Sequence, residues 1–80
     1  AKIMVLHGWE DPMVEPESVN SFINEMRSKN ADWQVHAYGN AMHAFTKTGA
    51  NDPENGMQYN QKADHRSWIA MHNFLEEVLN

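Results

Sequence analysis

The 80 residues carry a net charge of −5, no cysteine and only six Lys or Arg, and each figure removes a class of function. Without cysteine there is no disulfide framework and no thiolate metal site. The scattered basic residues offer no surface for nucleic acid, and no apolar run approaches the ~20 residues of a membrane span.

A chain of this length is at most one small domain, burying only about 60% of the surface its unfolded form exposes. No charged region leads into a long apolar stretch and a cleavage site at the N-terminus, so no signal peptide is visible. With cysteine also absent, a cytoplasmic origin is expected. Ala1-Lys2 runs straight into an apolar segment with no initiating Met, which reads as a truncated or processed product.

Ile3-Met4-Val5-Leu6 is a short continuous apolar run, and it predicts a strand over residues 2–7 of the kind covered on both faces. Gly8 to Val14 is a turn in which Pro12 holds Asp11 extended. Pro16 suits a first helical position. Val19, Phe22, Ile23 and Met26 then fall at i, i+3, i+4 and i+7, predicting an amphipathic helix over 16–29 with Asn30 as its stop.

Residues 33–38 alternate, with Trp33, Val35 and Ala37 on one face and Gln34, His36 and Tyr38 on the other, as in a half-buried strand near a sheet edge. Residues 39–60 form a long loop rich in Gly, Asn, Asp and Pro, closed by Tyr59 and Asn60 as anchors. Loops of that length are usually functional or disordered. The last segment, 61–79, is a helix with Trp68, Met71, Leu75 and Val78 as its apolar stripe, widened by Ile69, Phe74 and Leu79.

The order strand, helix, strand, helix implies an α/β arrangement with two parallel strands joined by a right-handed crossover. In such sheets, sites form outside the carboxyl ends of the strands. Asp11 follows the first strand and His43 the second, so both emerge on the same edge. A carboxylate that accepts from imidazole Nδ1–H fixes the tautomer, leaving the other nitrogen as general base. Singly, a turn aspartate before Pro and a loop histidine are ordinary features; the ordered pair at matched strand ends favours chemistry.

Triad enzymes of the α/β-hydrolase type run nucleophile, acid, histidine along the chain. Asp11 and His43 supply the second and third members. Ser18, Ser21, Ser28 and Ser67 lie on predicted helices, and none sits in the G-x-S-x-G turn that an exposed nucleophile requires.

His7-Gly8-x-x-Asp11-Pro12-x-Val14, then Tyr38-Gly39-x-x-x-His43-Ala44-Phe45, then a loop leading to a helix that bears Trp68, together resemble the C-terminal part of the dienelactone hydrolase family. The resemblance covers essentially the whole chain. It implies the C-terminal β-α-β-α portion of an α/β-hydrolase parallel sheet, an incomplete fold, acting on esters or lactones without metal or organic cofactor. It places the triad acid at Asp11 and the triad histidine at His43. The family's Cys or Ser nucleophile and its oxyanion hole would lie upstream of Ala1.

Trp9, Met13 and Met42 are candidates to line a substrate cleft, while Trp33 suits core packing. His65 and His72 are seven apart on one helix, but no His-carboxylate cluster has ligand spacing, and no metal site is expected. The alternative reading is a non-catalytic, self-associating α/β module in which Asp11 and His43 are structural. Either way, two strands leave open edges, so a homo-oligomer through an exposed strand edge is expected.

Overall fold

In a computed structural model describing residues 1–80, strand β1 (Lys2–Gly8) pairs in parallel with β2 (Asp32–Tyr38), in register from Lys2 opposite Asp32 to Gly8 opposite Tyr38. Helix α1 (Pro16–Ser28) makes the connection. Because the strands run the same way and end level, the turns after Gly8 and after Tyr38 leave the sheet side by side. That register places the residues following both strands at one edge.

Helix α1 begins on Pro16 and buries the expected stripe: Met26 is buried and Val19, Phe22 and Ile23 are half-buried. It ends one residue before the predicted limit. Asn30 sits at φ 52 and donates its N–H to the Arg27 carbonyl, while Ala31 donates to Met26, the paired bonds of a left-handed helix stop. Asn tolerates this conformation better than most non-glycine residues. Strand β1 reaches Gly8 and β2 starts at Asp32, each one residue beyond expectation.

The alternation predicted for β2 does not hold. Trp33, Gln34, Val35 and His36 are all half-buried and Ala37 is exposed. Across so narrow a sheet, neither face of β2 is fully covered, so a period of two leaves no clean burial trace. His36 and Gln34, on one face of the strand, meet side by side, with His36 Nε2 3.2 Å from Gln34 Oε1.

Residues 39–60 are not a featureless loop. They fold a small hairpin in which β3 (Asn51–Asp52) pairs antiparallel with β4 (Met57–Gln58) around a 3₁₀ turn at Pro53–Asn55. Tyr59 N–H bonds the Ala50 carbonyl, and Asn60 N–H bonds that of Phe45. Asn60 also caps the last helix, α2 (Gln61–Leu79), by accepting from Ala63 N–H at 3.0 Å. Tyr59 and Asn60 therefore anchor the loop.

Helix α2 has the predicted span but a rotated face. Ala63 and Ser67 are buried, with Ala70, Met71, Phe74 and Val78 half-buried, whereas Trp68, Ile69, Leu75 and Leu79 are exposed. The small residues Ala63 and Ser67 let the helix start close against the 41–45 segment, and this contact sets its rotation. The result is a core of Ala41, Phe45 and Ala63, with Tyr38 packed against it and its ring 5.7 Å from that of Phe45. Burial lifts the Tyr38 hydroxyl above its usual titration range.

Only nine residues are buried, and the molecule is a slab with extents of 38 × 30 × 15 Å. A helix with its side chains is roughly 10–12 Å across, so the slab leaves little room for a second layer over the same face. No helix is long and apolar enough to cross a membrane.

Candidate active site

Asp11 stands three residues past β1, in a turn stitched to the end of β2. Trp9 N–H bonds the Tyr38 carbonyl and Glu10 N–H bonds that of Ala41, both at 2.9 Å. Asp11 N–H closes the turn onto the Gly8 carbonyl. Its carboxylate is pinned at both oxygens: Oδ1 accepts Met13 N–H at 2.8 Å, and Oδ2 lies 3.0 Å from His43 Nδ1. The Asp11 side chain is 8% exposed and that of His43 is 44% exposed.

The bond to the carboxylate assigns the tautomer. A carboxylate only accepts, so Nδ1 carries the hydrogen in this bond, and the lone pair of neutral His43 lies on Nε2. No group of the chain bonds Nε2. A carboxylate buried on one side of an imidazole that opens on the other is arranged to pull a proton from an incoming O–H or S–H. It can then hold the resulting imidazolium.

His43 borders an open hollow of about 570 Å³. Asp11, Met42, Phe45, Trp68 and Met71 also line it, together with Val5 and Leu6 of β1. Its floor is thus the uncovered apolar side of β1 and α2. Of the three cleft candidates, Met42 lines this hollow; Trp9 and Met13 lie exposed away from it. The Trp9 ring instead meets His7 edge-on, 5.9 Å between centroids.

Phe45, Trp68 and Met71 line the hollow without a cleft signal in the local pattern. Phe45 belongs to the His43-Ala44-Phe45 segment of the family resemblance, whereas Trp68 and Met71 occupy ordinary positions of the α2 apolar stripe. His7 also borders the hollow; its Nε2 is buried without a partner. No three His, Asp or Glu side chains gather where a metal ion could be held. His72 pairs with Glu76 at 3.8 Å on the outer surface of α2.

The sequence profile of the dienelactone hydrolase family matches residues 1–79. The chain belongs to the dienelactone hydrolase family. A Caenorhabditis elegans protein, K02A2.1, is 40% identical over 82 residues, which take in 95% of this chain and 49% of that protein.

Among solved structures, m3DLH superposes with a TM-score of 0.88 at 40% identity, covering 96% of this chain and 32% of its own. A dienelactone hydrolase-like promiscuous phosphotriesterase from metagenomic libraries superposes at 0.89 with 39% identity, again over 95% and 32%. The chain therefore spans about half the curated relative and about a third of each dienelactone hydrolase fold. It is an incomplete α/β unit of a hydrolase family.

Proposed function

We propose that this chain supplies the acid, Asp11, and the general base, His43, of a triad that hydrolyses carboxylic esters or lactones, and that the nucleophile lies outside these residues. The observation that carries the reading is the 3.0 Å bond from His43 Nδ1 to a buried Asp11 carboxylate, with Nε2 left unbonded beside the hollow. In the reaction, Nε2 takes the proton of a Ser or Cys nucleophile as it attacks the acyl carbon. It returns that proton to the leaving oxygen, then repeats the pair of transfers with water to release the acid. Asp11 stays ionised throughout and holds the ring in the productive tautomer.

Family membership supports the assignment residue by residue, since Asp11 and His43 occupy the motif positions read from the sequence. The four serines support an outside nucleophile. Ser18, Ser21 and Ser28 lie on α1, and Ser67 on α2 is buried and donates to the Asp64 carbonyl at 2.8 Å. The relative described as a promiscuous phosphotriesterase makes phosphotriesters a second substrate class worth assaying. The test is turnover of p-nitrophenyl acetate. The chain alone gives none above background, whereas the complete domain that contains it turns over and loses that activity in His43→Ala. Saturable turnover by the chain alone would overturn the assignment of an outside nucleophile.

The second reading, a self-associating module, is favoured by one observation: Trp68 and Leu79 stand 59% and 78% exposed on the apolar side of α2. We propose self-association through this side and the open edge of β1 for the chain on its own. This is compatible with the triad assignment, because the surface that would seat the rest of the domain is then covered by a second copy.

A further inference from the structure

Through one residue, the hairpin within residues 39–60 touches the base, His43, and the residue that follows the acid, Pro12. Gly56 sits at φ 81, and its carbonyl accepts His43 N–H at 2.8 Å. Two residues on, in β4, Gln58 N–H donates to the His43 carbonyl at 3.3 Å, so one segment, 56–58, holds the base through both its backbone N–H and its carbonyl. The α-carbon of the same Gly56 abuts Pro12, the residue after the acid, so closely that an added Cβ would land among the Pro12 ring atoms.

A second close approach lies at the strand ends. A Cβ on Gly8 would stand 2.7 Å from the carbonyl oxygens of both Ala41 and Met42, the two residues before His43. Those are backbone atoms, which cannot swing aside as a side-chain tip can. Between the two contacts the chain accepts strain: Ala44, directly after the base, is held at φ 59. A non-glycine residue keeps that conformation only where its surroundings impose it.

We propose that Gly8 and Gly56 form a two-sided clamp that sets the separation of Asp11 and His43, making both glycines positioning residues of the pair. Gly8 lets the 41–42 segment lie flush against the end of β1, and Gly56 locks the hairpin onto Pro12 while holding the His43 backbone. Enlarging either residue wedges the loop bearing the base away from the turn bearing the acid. The catalytic meaning of the clamp rests on the function proposed above; its geometry does not.

The tautomer of His43 reads this geometry directly. A free neutral imidazole favours hydrogen on Nε2, and a bond to Asp11 moves it to Nδ1. In the ¹⁵N-histidine-labelled chain, ring nitrogen shifts, assigned with His43→Gln, should show His43 as the Nδ1–H form. Gly39→Ala and Gly49→Ala, where a Cβ meets nothing within 4 Å, should leave that form in place. Gly8→Ala and Gly56→Ala should lose it, with His43 reverting to the Nε2–H form.

Pro12→Ala added to Gly56→Ala removes the ring atoms and leaves the nearest Pro12 contact, at Cβ, an ordinary 3.7 Å. The double variant should regain the Nδ1–H form, which separates the wedge from the backbone strain of a non-glycine residue at this φ. Should Gly56→Ala alone fail to fold, recovery of fold and tautomer together in the double variant supports the clamp. Retention of the Nδ1–H form in folded Gly8→Ala and Gly56→Ala, or no recovery in the double variant, overturns it. An absence of ester hydrolysis in the complete domain would sink the proposed function while leaving this readout untouched.

Discussion

At the scale of single residues, the chemistry turns on what each ring nitrogen and carboxylate oxygen can do. Asp11 has two partners and both donate: Met13 N–H to Oδ1 and His43 Nδ1–H to Oδ2. Asparagine keeps the shape and can still accept one hydrogen bond. If its amide nitrogen faces the imidazole it presents a donor, and His43 must then accept at Nδ1 and carry its hydrogen on Nε2. That is the wrong form for a general base. In the complete domain, Asp11→Asn should therefore lower kcat about 10⁴-fold, and His43→Ala at least as much. Steady-state kinetics check this, and near-normal turnover in either variant would make the pair structural. The pair was legible in the sequence because its order and strand-end positions are one-dimensional facts. The roles of Gly8 and Gly56 were not, since a close approach between segments leaves no mark on local pattern.

At the scale of elements, helix α1 was legible because its large apolar residues are also its buried ones. Helix α2 was legible in extent but not in orientation. Hydrophobic patterning weights Trp68 and Leu75, while the contact that rotates the helix is made by Ala63 and Ser67, which carry little apolar signal. The hairpin was hidden for a different reason: strands of two residues have no period to read.

The junction of hairpin and helix is held by Tyr59, whose hydroxyl donates to Asp64 Oδ2 at 2.8 Å. That bond, with some desolvation and the nearby Asp64 charge, raises the Tyr59 pKa above its usual 10.0. The native state thus holds this proton more tightly than the unfolded chain. The contribution to stability is fully present below the usual tyrosine range and is lost as pH rises through the raised value. In a Tyr38→Phe background Tyr59 is the sole remaining tyrosine. Adding Asp64→Ala should then shift the tyrosinate absorbance transition to lower pH, and an unmoved transition would count against the bond.

At the scale of the whole molecule, a small core underlies a large uncovered apolar side. The buried hydrophobic residues are Met26, Ala41, Phe45 and Ala63, while Trp68, Ile69, Leu75 and Leu79 of α2 lie exposed. Burying apolar surface contributes about 25 cal/mol per Å², so covering such a side is strongly favoured. This chain matches only about a third of each dienelactone hydrolase-like structure. For the chain alone, we propose a second copy as the cover. Light scattering at micromolar concentration should give a dimer mass or higher, and Trp68→Glu with Leu79→Glu should shift it toward monomer. A monomer mass with a cooperative melt in the unmodified chain would contradict self-association.

On the proposed function, Asp11 and His43 supply a working acid and base to a nucleophile held elsewhere. Grafting tests it most directly: this chain replaces the matching third of m3DLH, to which it is 40% identical with a TM-score of 0.88. The folded chimera should hydrolyse p-nitrophenyl acetate, and His43→Ala within the grafted segment should abolish that turnover. A folded chimera without turnover, or one whose turnover survives His43→Ala, would rule out Asp11 and His43 as that acid and base.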